Sequence, residues 1–207
     1  MMDTDLFVAW FEESARLIRR ERDRLTRLDA AIGDADHGTN LDRGFSEVCK
    51  ALADDPPGSP SEVLTTAGSI LIRRVGGAAG PLYGSLFRQM GRALRESPVT
   101  LAGFAAAFED GVVAIERLGK ATPGDKTMVD ALTPASRALA LAVRDGVGVH
   151  EALVKAADAA LEGAKATIPM QAKKGRASYL GERSIGHEDP GAASAALLLE
   201  ALASVAG

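Results

Sequence analysis

What most restricts the fold of this chain is a missing pattern. Nowhere do apolar and polar residues alternate for the length of a strand, whereas apolar residues recur three and four apart in one stretch after another. The clearest case is Phe104, Phe108, Val112 and Ile115, which fall on one face of a helix. Hydrophobic residues make up 46% of the 207 but aromatics only 4%, so the core must be built mainly from Ala, Leu, Val and Ile at close helix contacts. The expectation is an all-α fold of eight amphipathic helices in one domain spanning residues 1–207.

Stop signals divide the chain. A first helix over residues 5–31 turns Phe7, Trp10, Phe11, Leu17, Ile18, Leu25 and Leu28 inward. Arg16, Arg19, Arg20, Arg22, Arg24 and Arg27 run between them, as a solvated face or, alternatively, as a docking surface for an acidic partner. A second helix over residues 40–52 ends at Asp54-Asp55-Pro56-Pro57-Gly58. Ser59-Pro60-Ser61-Glu62 is a capping box that opens a third, stopped by Gly76-Gly77-Ala78-Ala79-Gly80-Pro81. The fourth follows Pro81 and ends at Ser97-Pro98, the fifth covers residues 100–118, and the sixth follows a polar loop over residues 119–126 and ends near Arg144. A seventh covers residues 149–167, and the eighth begins at Pro190 behind Asp189 as N-cap. Residues 168–189, rich in Gly, Lys, Arg and Ser, form a connection too long for a compact fold unless it serves as a lid or binding loop.

Composition narrows the partners. A net charge of −4 and a pI near 5.5 give no reason to expect nucleic acid. A single cysteine, Cys49, has no internal disulfide partner and fits a reducing cytosol. Met1-Met2-Asp3-Thr4-Asp5 lacks the basic start of an export signal, and the apolar run over residues 192–206, interrupted by Ser194, Glu200 and Ser204, is too short for a membrane span. The expected location is the cytoplasm.

The segment that carries chemistry is Asp29-Ala30-Ala31-Ile32-Gly33-Asp34-Ala35-Asp36-His37-Gly38-Thr39-Asn40, between the first two helices. Asp29 lies in a last helical turn, where the dipole disfavours negative charge, and Asp34 and Asp36 follow at once. A cation removes the conflict, and hard oxygen ligands select Mg2+ or Ca2+. Thr39 or Asn40 then serves as N-cap of the next helix, whose free N–H groups suit a phosphate. His37 stands between the two functions, as a donor to a phosphoryl group in transfer or as a covalent carrier.

Other segments could complete such a pocket. The small residues 76–80 let a ligand approach the backbone, and equally fit a tight helix crossing. Met128, after the loop that begins at Gly119, could pack on a flat base or simply be core. In the long connection Arg176 or Arg183 offers a planar fork to phosphate, beside Lys173 and Lys174. Asp189 can cap a helix with one oxygen and accept a ribose hydroxyl or a metal-bound water with the other.

Taken together, Gly33-Asp34-Ala35-Asp36-His37-Gly38-Thr39-Asn40, Gly124-Asp125-Lys126-Thr127-Met128, Gly175-Arg176-Ala177-Ser178-Tyr179-Leu180-Gly181-Glu182-Arg183-Ser184 and Asp189-Pro190-Gly191 resemble the nucleotide-binding L subunits of bacterial dihydroxyacetone kinase, over nearly the whole chain. The resemblance implies a barrel of eight antiparallel helices with ADP or ATP and two Mg2+ at one end. It implies metal ligands at Asp29, Asp34 and Asp36, and a phosphate turn at His37, Gly38, Thr39 and Asn40. Further nucleotide contacts fall at Ala78, Ala79, Gly119, Met128, Arg176, Asp189, Pro190 and Gly191, with His37 and Arg176 as the catalytic candidates. Ala79 departs from the family, which commonly has serine there. The partners implied are a K subunit that binds dihydroxyacetone and an M subunit that carries phosphohistidine, with a homodimer or a transcription regulator as further possibilities. The alternative enzyme is an ATP-dependent ketose kinase half or a fatty-acid kinase domain. The latter usually shows Asp-Gly-Asp-Thr-Gly where this chain has Asp34-Ala35-Asp36-His37-Gly38.

Overall fold

A computed structural model describes residues 2–94 and 98–207. Their helices are α1 (Thr4–Ile32), α2 (His37–Asp54), α3 (Pro60–Arg74), α4 (Ala79–Ala93), α5 (Leu101–Gly119), α6 (Val129–Asp145), α7 (Val149–Ala166) and α8 (Pro190–Val205). Each packs on its neighbour in sequence, and α8 packs back on α1, so the eight close into an antiparallel ring. Closure lets every helix bury an apolar stripe without leaving an unpartnered face. No strand forms among the described residues; an isolated bridge ties Met2 to Val99.

Two of the caps, Ser59 and Asp189, are those read from the sequence, and the structure adds Asp3 and Thr100. Asp3, Ser59, Thr100 and Asp189 each accept a backbone N–H in the first turn of the helix they precede. Two starts differ from expectation. α2 begins at His37, three residues before Asn40, so Thr39 and Asn40 lie inside its first turn and neither is the N-cap. α4 begins at Ala79, ahead of Pro81, and ends at Ala93; Ser97 lies outside the described residues. The long connection is also not wholly irregular, because Arg176–Ser184 forms a 3₁₀ segment kinked at Gly181. Pro134 sits within α6, and the carbonyl of Asp130 four residues earlier comes up against Gly163 of α7, where a side chain would not fit.

The core has two characters along the barrel axis. Near the α1 start, Phe7, Trp10, Phe11, Phe45, Phe87, Phe104 and Phe108 form a continuous aromatic cluster, edge to face around Trp10 and stacked at Phe11–Phe45 and Phe104–Phe108. Trp10 donates its indole N–H to the Leu198 carbonyl at 2.7 Å, so this end is packed and hydrogen-bonded shut. α8 is sealed nearly all round, with Ala and Leu at most positions. Cys49 is a half-buried thiol against the Phe11 carbonyl.

An antiparallel ring sends the connections alternately to the two ends. Residues 33–36, 75–78, 120–128 and 167–189 therefore emerge together, at the end opposite the aromatic cluster. The three non-glycine residues with left-handed backbone, Ala35, Lys120 and Lys126, all lie in these connections.

Candidate functional site

The four connections surround a cavity of about 310 Å³. Its walls include Asp29, Gly33, Asp34, Asp36 and His37 from the first, Gly76, Gly77, Ala78 and Ala79 from the second, Ala121 and Lys126 to Met128 from the third, and Lys174 to Ala177 with Asp189 to Gly191 from the fourth. Leu82, Ile115 and Gly119 add apolar surface from the helices behind. The lining thus combines a cluster of carboxylates with small and apolar residues, a combination that suits a metal-phosphate group joined to a flat ring.

The acidic end is built from α1 outward. Asp29 is buried, and its Oδ2 accepts the N–H groups of Asp36 at 2.9 Å and His37 at 3.1 Å. A carboxylate from the previous helix thus caps α2, which explains the early helix start: Asp36 itself makes no side-chain cap. Gly33 is required because a Cβ there would collide with Asp29 Oδ1. Ala35, at φ 62°, holds a left-handed turn between Asp34 and Asp36, a conformation that costs on the order of 1 kcal/mol and persists only where the surroundings impose it. The outcome is that one oxygen each of Asp29, Asp34 and Asp36 lies within 4.8 Å of the others. Three hard oxygens, two of them solvent-facing, fit Mg2+ with waters completing its shell.

Arg176 reaches this cluster, its Nη2 lying 3.0 Å from Asp34 Oδ2. Both groups are exposed enough that such a pair is worth under about 1 kcal/mol, so the guanidinium can leave Asp34 for a phosphate at little cost. Arg183 stands outside the cavity.

His37 is oriented from behind. Its Nε2 lies 2.9 Å from Ser194 Oγ, which lies 2.6 Å from the Tyr83 hydroxyl, and Ser194 also donates to the Gly191 carbonyl at 3.0 Å. Tyr83 also donates to the Gly191 carbonyl at 3.3 Å, so His37, Ser194, Tyr83 and Gly191 form one connected network behind the ring. Burial pushes the His37 pKa below the ordinary value, against the pull of Asp29, Asp36 and Asp34 and a hydrogen bond to Pro190. Asp189 caps α8 through Ala192 N–H at 2.7 Å. Burial raises its carboxyl to about 7, with Asp130 and Asp29 adding to the rise, and the Ala192 bond and Lys126 opposing it.

Of the residues expected at the site, the structure gathers Asp29, Asp34, Asp36, His37, Ala78, Ala79, Gly119, Met128, Arg176, Asp189, Pro190 and Gly191 around one cavity. Gly38, Thr39 and Asn40 stand off its wall. Gly38 is pressed against the Arg22 carbonyl of α1 and Asn40 binds Arg43, while Thr39 is exposed. The N–H groups in this turn that Asp29 and Asp36 do not engage belong to Gly38 and Thr39. Sequence reasoning missed Tyr83, Ser194, Lys126 and Asp130. Ser194 registered only as an interruption in an apolar run, and a lone hydroxyl among Ala and Leu at the start of that run is the signal that could have found it.

Comparison with known proteins identifies the family. The DAK2 domain matches residues 31–204. The chain is 43% identical over 203 residues to the ADP-binding subunit of the PEP-dependent dihydroxyacetone kinase of Escherichia coli, covering 96% of this chain and 95% of that one. It is 40% identical over 200 residues to the corresponding subunit of kinase 1 of Listeria innocua, covering 97% and 96%. Among solved structures, the dihydroxyacetone kinase of C. freundii in complex with AMP-PNP and Mg2+ superposes with a TM-score of 0.74 at 26% identity, covering 97% of this chain and 34% of that longer one. No described helix is long and apolar enough to cross a membrane.

Proposed function

Because the chain belongs to the DAK2 domain family, we propose that it is the ADP-binding subunit of a PEP-dependent dihydroxyacetone kinase, working in the cytoplasm. The observation that carries this reading is the meeting of Asp29, Asp34 and Asp36 at the mouth of a cavity whose other walls are Ala78, Ala79, Met128 and the Asp189 turn.

Asp29, Asp34 and Asp36 would hold Mg2+, two ions on this reading, and the metal would supply charge neutralisation to the nucleotide's phosphates. The N–H groups of Gly38 and Thr39, at the positive end of α2, would donate to a phosphate oxygen. Arg176 would exchange Asp34 for the phosphate, and neutral His37, held by Ser194, would border the same group. Ala78, Ala79, Leu82, Ile115 and Met128 form the apolar slot for the base, and Asp189 the polar group beside it. The substrate would come on a K subunit docked at this open end, and phosphate would arrive from a phosphohistidine on an M subunit and pass through the bound nucleotide. On this view the chain positions and neutralises, and needs no nucleophile of its own.

Native mass spectrometry of the purified chain tests the reading. We expect ADP with Mg2+ that survives dilution, and its loss in Asp34→Ala with helicity unchanged. Full ADP retention by that variant would refute the metal assignment. Added to K and M subunits and a PEP-driven phosphate supply, the chain should restore dihydroxyacetone phosphorylation with only catalytic amounts of ADP; a requirement for stoichiometric ATP would point instead to a directly ATP-dependent kinase half.

A further inference from the structure

Lys126 is only 1% exposed, and what surrounds its ammonium is backbone. Nζ donates to the carbonyls of His187 at 2.5 Å, Thr167 at 2.8 Å and Met170 at 3.0 Å, with Ile168 at 3.5 Å. An ammonium has three N–H donors and no acceptor, so the three short contacts use all of its hydrogens. Thr167 follows the last turn of α7, where carbonyls lack helical partners and the dipole is negative. His187 stands two residues before Asp189, the cap of α8. The charge therefore sits in the neck of the connection over residues 167–189, touching both of its ends. Two further bonds close that neck, Gly186 N–H to the Ile168 carbonyl at 2.8 Å and Asp189 N–H to Thr167 Oγ1 at 2.9 Å.

The side chain is aimed there by its own loop. Lys126 has a left-handed backbone, φ 62°, and Asp130 fixes the turn around it by accepting the N–H groups of Gly124 and Thr127. The same loop brings Met128 to the cavity, while the stapled connection brings Arg176 and Asp189. A buried charge is tolerated only when fully hydrogen-bonded, and carbonyl oxygens converging on one point repel one another once the cation is gone.

We propose that Lys126 is a positioning residue that serves as a built-in monovalent cation, locking both ends of the Arg176-bearing connection against the Met128 side of the cavity. Its effect on nucleotide affinity rests on the function proposed above; its effect on the connection does not.

The test uses the full chain carrying Lys126→Ala, which leaves space for n-propylammonium, and Lys126→Met, which fills that space with an uncharged chain. Hydrogen–deuterium exchange over residues 168–189 is followed beside Mg-ADP affinity, with and without propylammonium chloride. We expect exchange in that segment to rise at least tenfold in both variants while α1 and α5 are unchanged, and Mg-ADP affinity to fall at least tenfold. Propylammonium should reverse both effects in Lys126→Ala and neither in Lys126→Met. Loss without rescue, or wild-type exchange in Lys126→Met, overturns the proposal. Should Lys126→Ala not fold, the wild-type chain decides: the Gly186 and Asp189 amides must exchange as slowly as core helix amides, and rapid exchange overturns it. A wild-type chain that fails to bind Mg-ADP would defeat the nucleotide reading, and the exchange measurement would still judge Lys126.

Discussion

Gly38 is pressed between α1 and α2, and replacing it by alanine links packing to the metal site in one substitution. The added carbon would lie 2.6 Å from Thr26 Oγ1 and closer still to the Arg22 carbonyl oxygen, against about 3.4 Å for ordinary contact. Thr26 can swing aside, but the carbonyl belongs to the α1 backbone and cannot. The start of α2 must therefore retreat by about 1 Å. That retreat carries the N–H groups of Asp36 and His37 from 2.9 and 3.1 Å to about 4 Å from Asp29 Oδ2, beyond hydrogen-bond range. Overpacking costs about 1–3 kcal/mol and a lost cap about 1 kcal/mol, giving roughly 2–4 kcal/mol in all. For a chain of this size that lowers Tm by about 4–16 °C, and the displaced carboxylates should weaken Mg-ADP at least tenfold. Thermal melting followed by circular dichroism and calorimetric titration read the two effects. Gly58→Ala, in the connection between α2 and α3 and outside the cavity wall, is the control, since its added carbon meets Glu62 Oε2 at an ordinary 3.4 Å. If Gly38→Ala melts within 1–2 °C of wild type and binds normally, the rigid crossing is wrong.

Three further outcomes are expected. Because burial raises the folded Asp189 pKa to about 7 from an unfolded value near 3.9, the folded chain binds this proton more tightly. In metal-free protein its contribution to stability should therefore decline as pH rises from about 4 to about 7. Asp189→Asn keeps an oxygen for Ala192 and should be more stable than wild type at pH 8 but not at pH 4, by roughly 2–4 kcal/mol; equal Tm values at pH 8 would contradict the burial argument. Ser194→Ala removes the hydroxyl that orients His37 and should cost about 1–3 kcal/mol, with the His37 ring shifted in its NMR resonances; an unmoved ring would show that Ser194 does not position it. If His37 borders the phosphate without carrying it, incubation with a phosphohistidine donor leaves no acid-labile phosphate on the chain, and a labelled His37 would reverse that assignment.

The helices were legible because each is encoded locally, by three-and-four spacing and by caps such as Ser59 and Asp189 that act within one turn. The acidic turn was legible for the same reason, three carboxylates within eight residues. What the linear pattern concealed was contact between distant segments. Asp29 caps a helix that begins eight residues later, so Thr39 and Asn40, good caps by type, proved to be internal. Ser194 looked like a polar interruption of an apolar helix until Tyr83, 111 residues away, was found on it. Lys126 gave no periodic signal, because its partners are carbonyls, which every residue type supplies.

The placement of the chemistry follows from ring topology more than from any single motif. Seven connections join eight antiparallel helices, and the four that follow α1, α3, α5 and α7 fall at one end. Here the aromatic cluster closes one end, so the small and acidic residues of the other can stay open without weakening the core. Connections also tolerate the left-handed backbone at Ala35 and Lys126, which a helix interior would not, and those are the residues that hold the carboxylates close together and aim the ammonium into the neck. A nucleotide set into that end would touch four separate connections at once. Its binding should therefore be lost by loosening any one of them, including the neck that Lys126 holds, in which no residue other than Asp189 needs to touch the ligand.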